Sequence, residues 1–175
     1  ILLAVSSLPS AWGAGDLGDA ALEWIDLLEA NGVSIWQILP LNPTGYGNSP
    51  YQPYSSFAGD ELYLSLEQFF REGLLENLPE PFRQDCTRVA YDQVRAWKET
   101  WLREACKKFQ PDSGYQDFIA QEWVRDYAVF RAFKKANGGA CWTEWPAAQR
   151  DWPQNPVEPK EFLDEIAHHL FLQYQ

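Results

Sequence analysis

The chain has 175 residues, 46% of them hydrophobic, and a formal net charge of -11. That length holds one globular core or part of a larger one, and the apolar content argues against disorder. So negative a surface repels phosphate backbones, which excludes nucleic acid as an expected partner, and no apolar run reaches the ~18 residues of a membrane span.

Ile1 to Val5 is a short apolar run with branched residues, as expected of a strand covered on both faces. Turn formers follow in Ser6-Ser7-Leu8-Pro9-Ser10, and a second loop, Gly13 to Gly18, leads to Asp19, a good helix N-cap. From Ala20 to Asn31 apolar residues recur at helical spacing, and Asn31-Gly32 supplies a left-handed stop. Val33 to Leu39, inside the longest apolar run, reads as the next strand. Strand, helix and strand with tight joints predict a βαβ unit with parallel strands.

Asn42 to Asp60 is a long loop rich in proline, glycine and aromatics, with a short strand expected at Leu62 to Leu66. Helices are predicted from there on. One covers Val89 to Phe109 with Trp97 and Trp101 on its apolar side. A second is opened by a capping box of Ser113 and Gln116, runs to about Lys135 and stops at Asn137-Gly138-Gly139. Trp142 to Asn155 is an irregular Trp/Pro segment. Pro159 is placed to open a last helix through Phe162, Ile166 and Leu170. The apolar start without Met and the end inside a helix read as an internal portion, the first part of a (β/α)8 barrel with a mostly helical inserted subdomain. The alternative is a small open α/β sheet with a helical lobe. The expected divisions are 1-66 (first βαβ and binding loops), 67-157 (helical insertion) and 158-175 (start of a further barrel helix).

In parallel α/β architectures ligands meet the C-terminal ends of strands, so the loops Ser6 to Gly18 and Asn42 to Asp60 should share one face. The longer loop offers Tyr46, Tyr51 and Tyr54 with Asn42, Asn48, Ser49 and Gln52. A tyrosine ring lies well against the C–H face of a sugar, while hydroxyls and amides take the sugar's hydroxyls. Composition allows a second reading, a well-packed surface loop whose tyrosines rest on the domain.

The segments Ser7-Leu8-Pro9-Ser10 with Gly13-Ala14-Gly15-Asp16-Leu17-Gly18, then Trp36-Gln37-Ile38-Leu39-Pro40-Leu41-Asn42-Pro43-Thr44-Gly45-Tyr46-Gly47-Asn48-Ser49-Pro50-Tyr51-Gln52, then Ser56-Phe57-Ala58-Gly59, resemble the N-terminal signature of the 4-α-glucanotransferases. These are the amylomaltases or disproportionating enzymes of glycoside hydrolase family 77. The resemblance is dense over Ile1 to Leu66 and looser afterwards, at Ala96-Trp97-Lys98, at Asp126 to Phe130 and in the helix through His169 and Tyr174. It implies a retaining barrel enzyme that moves a segment of 1,4-α-glucan to glucose or to another glucan. On that analogy Tyr51 stacks on the sugar beside the scissile bond, Ser49 and Asn48 bond nearby, and Tyr46 contributes to a separate surface glucan site. The catalytic carboxylates are then expected beyond Gln175, which would leave this chain inactive alone. The pattern is broken at Ala4 (His in many relatives), at Asp60-Glu61 (usually Asn-Pro) and at Arg95, where a tyrosine of the surface site would fall.

The same resemblance implies glucans and malto-oligosaccharides as partners; no cofactor or metal is expected, and charge and run length speak against nucleic acid and membrane. Cys86, Cys106 and Cys141 match neither a disulfide framework nor a zinc pattern, so free thiols in a reducing compartment, the cytoplasm, are expected. Gly13, Gly15 and Gly18 have dinucleotide-loop spacing, a weak signal by itself. Asp16 reads as a turn-stabilising carboxylate. His168-His169 point about 100° apart on a helix and lack ligand-spaced partners. The sequence assigns no role to Trp142, Trp145 and Trp152. Two further readings remain: a glucan hydrolase of the α-amylase class, and a non-catalytic carbohydrate-binding α/β domain.

Overall fold

The computed structural model describes residues 1–83, 88–152, 154 and 160–175. It divides into two units, Ile1–Phe109 and Gln110–Gln175.

In the first unit the segments expected as strands are extended and run side by side in parallel. Gln37 N–H donates to Ile1 O at 2.8 Å and Leu3 N–H to Gln37 O at 3.0 Å. Only one parallel bridge results, Leu2 with Gln37. Val5–Ser7 then curls into a 3-10 turn, with Leu8 N–H bonding back to Val5 O, and Pro40 follows closely on the second segment. Residues that a two-faced sheet would cover stay exposed: Leu2 at 60% and Ile35 at 71%. The third expected strand, Leu62 to Leu66, is a 3-10 turn at Glu61–Tyr63 followed by a helix.

These observations correct the expected fold class. The described residues contain no β-strand, and the α/β architecture of a (β/α)8 barrel's first part is not what the chain forms; it is helical with long loops. Apolar runs identify extended backbone. A ladder also needs successive paired residues, and here the pairing stops after one.

Helix α1 is Asp19–Ala30. Gly18 occupies the N-cap, which puts Asp19 in the first turn, where its charge suits the helix dipole. Gly32, at φ +69°, provides the left-handed stop. Ala21 packs with Val5 and Leu8, supported by Trp24, Trp36 and Tyr63. The short α2, Leu66–Arg71, is capped by Ser65, whose Oγ accepts from Gln68 N–H at 3.2 Å. The long α3, Tyr91–Lys108, buries Val94, Lys98, Leu102 and Ala105. Its Trp97 stacks on Trp12 with centroids 6.1 Å apart, so this residue joins the packing as its spacing suggested.

In the second unit the helix expected from Ser113 to Lys135 is broken into α4, Ser113–Ile119, and α5, Glu122–Ala136. Asp112, not Ser113, caps α4 by accepting from Tyr115 N–H at 2.7 Å. Tyr174 holds the start of α4: its hydroxyl donates to Asp112 and its ring meets Tyr115 edge-on. Helix α6 is Ala147–Arg150 and α7 is Leu163–Tyr174. Ala128, Val129 and Phe133 of α5 meet Ile166 of α7 in a core that includes Trp145 and Trp152. Trp142 is half exposed at a cleft of about 420 Å³. Pro159 and Cys86 lie outside the described residues.

Candidate functional site

The long loop is closed at two levels by its own backbone. At its base Asp60 N–H donates to Leu41 O at 2.8 Å, and Asn42 Nδ2 donates to Ala58 O at 3.0 Å. Higher up, Tyr54 N–H donates to Pro43 O and Gly45 N–H to Gln52 O, around an antiparallel bridge between Thr44 and Pro53. Gly45 is required at this neck, because a Cβ there would lie 2.7 Å from Gln52 O. Gly47 and Asn48, at φ +74° and +54°, turn the tip through the left-handed region that glycine and asparagine tolerate best.

The tip carries all the residues expected to touch substrate. Tyr46 is 95% and Tyr51 71% exposed. Ser49 Oγ accepts from Tyr51 N–H at 3.4 Å, which fixes the backbone under the Tyr51 ring. Asn48 Oδ1 accepts from Thr44 Oγ1 at 3.4 Å, and its Nδ2 donates to Asp92 Oδ1 at 3.3 Å. The structure thus brings Tyr46, Asn48, Ser49 and Tyr51 together on one closed turn. The parallel bridge between Leu2 and Gln37 means that both extended segments, and hence both long loops, leave in the same direction.

Under the loop lies a group that sequence reasoning did not assemble. Arg95 of α3 donates from both terminal nitrogens to the two Asp60 carboxylate oxygens, at 2.6 and 2.5 Å, and also to Thr44 Oγ1 at 2.9 Å. Asp60 in turn accepts from Leu62 N–H at 2.9 Å. The only prior sign was that positions 60 and 95 both depart from the resembled pattern. Nothing in the spacing of 35 residues links them.

The first loop is built by close approach. A Cβ on Gly15 would lie 2.1 Å from Val5 O, and one on Gly18 would lie 2.6 Å from Ser65 Oγ. These glycines serve packing. Asp16 does stabilise the turn, accepting from Gly18 N–H at 3.0 Å, and its other oxygen sits 3.7 Å from the buried Lys98 ammonium. Burial raises the Asp16 pKa against the opposing pull of Lys98, and burial lowers that of Lys98. Lys98 also donates to Leu62 O at 2.7 Å. Nearby, Tyr63 is pushed up to about 12, first by desolvation and then by Asp60. A cleft of about 940 Å³ runs along this loop, between Ser6, Ser10, Gly13, Phe82, Arg88 and Tyr91.

Among the described residues no three His, Cys, Asp or Glu side chains meet as a metal-ligand set. His168 and His169 are buried in α7, and His169 Nε2 lies 3.3 Å from Glu165. No helix of the described residues is long and apolar enough to cross a membrane.

The profile of a glycoside hydrolase 77 family, described as 4-alpha-glucanotransferase, matches residues 3–175. A 4-alpha-glucanotransferase of Synechocystis is 39% identical over 99% of the chain, and one of Thermus thermophilus is 37% identical over the same share. The chain spans 37% and 36% of the lengths of these two relatives. Among solved structures, an amylomaltase from Streptococcus agalactiae in complex with acarbose superposes with a TM-score of 0.88 at 29% identity, over 99% of this chain and 37% of that one.

Proposed function

Because the chain belongs to the 4-α-glucanotransferase family of glycoside hydrolases, we propose that the whole protein transfers a segment of 1,4-α-D-glucan to a 4-hydroxyl of glucose or of another glucan. Malto-oligosaccharides are its partners and the cytoplasm its compartment, which suits the free Cys106 and Cys141.

Tyr51 carries this reading. Its ring is 71% exposed on a turn closed at neck and base, so little conformational freedom is lost when a sugar lies against it. Ser49 supports that turn from below and offers a hydroxyl beside the sugar. Asn48 borders the same turn, and Tyr46 presents a second, more exposed ring suited to a separate stretch of glucan.

The chemistry is a retaining double displacement, which needs two carboxylates about 5–5.5 Å apart, one as nucleophile and one as acid/base. Asp16 and Asp60 are poor candidates. Asp16 is held by Gly18 N–H and Lys98, and Asp60 is gripped by Arg95. The family resemblance, rather than this elimination, implies that the catalytic pair is supplied from outside this chain, and the loop's task is then to bind and orient. Transfer wins over hydrolysis when a sugar hydroxyl intercepts the glycosyl-enzyme before water does.

Product analysis of the whole protein on maltotriose tests the proposal. Longer and shorter oligomers appearing together are the expected result; net release of reducing ends alone would make it a hydrolase.

A further inference from the structure

We infer that Asp92 and Arg95, on the opening turns of α3, are positioning residues that hold the Tyr51 loop in its binding geometry. The inference rests on the assignment of Tyr51 to glucan and adds what fixes its place.

Residues three apart on a helix lie on one face. Asp92 and Arg95 both turn that face to the loop, and they take hold of it at different heights. Arg95 engages the base through Asp60 and the neck through Thr44 Oγ1. Asp92 engages the tip by accepting from Asn48 Nδ2 at 3.3 Å. Thr44 joins the two levels, since its hydroxyl also reaches Asn48 Oδ1 and its backbone forms the bridge to Pro53. Asn48 uses both ends of its side-chain amide on protein partners, which pins the left-handed turn three residues before Tyr51.

The contact through Arg95 is stronger than a surface ion pair. The Asp60 side chain is fully buried and that of Arg95 is 23% exposed. A bidentate guanidinium–carboxylate pair shielded from water is fixed in direction as well as distance. Backbone bonds alone close the loop on itself; they do not set its place against the rest of the unit. The α3 face does.

The test is a mutant cycle in the whole protein with maltotriose as substrate. Arg95→Met keeps the apolar stem and should lower kcat/KM about tenfold, chiefly through KM, with Arg95→Lys recovering part of the loss. On a Tyr51→Ala background the same substitution should change kcat/KM by less than about twofold, because the residue acts through that ring. Asp92→Asn, a milder change, should follow the same pattern with a smaller effect. Amide hydrogen exchange read on residues 44–54 should accelerate in Arg95→Met, with the melting temperature reporting whether the protein is folded. An equal fold-loss with and without Tyr51, or unchanged exchange in the loop, overturns the inference. Should Tyr51→Ala itself match wild type while exchange still accelerates, the assignment of Tyr51 to glucan falls and the hold of α3 on the loop stands.

Discussion

Arg95 and Asp60 form a two-pronged ion pair, 2.6 and 2.5 Å long, between α3 and the base of the tyrosine loop. Position 60 is usually Asn in the resembled pattern, and position 95 is where a tyrosine would fall. The two departures are in contact, and each supplies the charge the other needs. A carboxylate buried at the end of the loop requires a cation, and a guanidinium aimed inward requires an anion.

Reverting both positions should therefore be gentler than reverting either. Asp60→Asn and Arg95→Tyr are each expected to destabilise the protein. The double variant should recover about 1–3 kcal/mol relative to the sum of the two, measured by denaturant unfolding. Strict additivity would mean that the pair is incidental.

Tyr51→Ala should lower transfer on maltotriose by about tenfold or more, whereas Tyr51→Phe should lose less because the ring face survives. Initial rates of glucose release and oligomer formation measure this. Equal rates for Tyr51→Ala and wild type would remove the ring from the site.

Lys98 is 2% exposed and faces Asp16 across 3.7 Å. Lys98→Met strands a buried carboxylate and should cost about 3–5 kcal/mol of stability. Adding Asp16→Asn should return part of that loss, since no charge is then left uncompensated. Chemical denaturation of the two variants provides the comparison.

Gly15 has no room for a side chain, with Val5 O only 2.1 Å from where a Cβ would sit. Because the obstacle is backbone, Gly15→Ala should destabilise by about 3 kcal/mol or more, above ordinary overpacking. A melting temperature within a degree or two of wild type would contradict the close approach of the first loop to Val5.

Tyr63 gives the protein an alkaline limit. Its phenol keeps its proton in the folded state to about 12, against an ordinary value of 10. Between those values the unfolded chain releases a proton that the folded one retains, so stability falls as pH rises through that window. Tyr63→Phe should flatten the decline between pH 10 and 12, although partial exposure of the ring limits its size. Denaturant midpoints measured across that range decide it.

The grouping of the candidate residues was legible in the sequence. Tyr46, Asn48, Ser49 and Tyr51 fall within six consecutive positions, so their proximity needs no fold to create it. The prolines marked the loop as stiffened in the same way, whereas Gly45 and Gly47, which read as loosening it, proved to close its neck and turn its tip. The pairing of Asp60 with Arg95 was not. It joins residues far apart in the chain, and neither carries a local mark of its partner.

The fold divides along the same line. Helical spacing and stop signals gave α1 and α3 to within a residue or two, because the i, i+4 bonds of a helix are local. A strand is completed only by a neighbour, so apolar runs at Ile1 to Val5 and Val33 to Leu39 predicted extension and parallel direction correctly and a continuous ladder wrongly. The break between α4 and α5 likewise accompanies a tertiary contact, Tyr174 on Tyr115 and Asp112. What this sequence determined alone is whatever its neighbours along the chain could enforce: the run of α1 and α3, the clustering of aromatic and polar residues in the tyrosine loop, the family. What holds that turn in place was decided by folding, because an ion pair or a buried contact exists only once distant residues have been brought together.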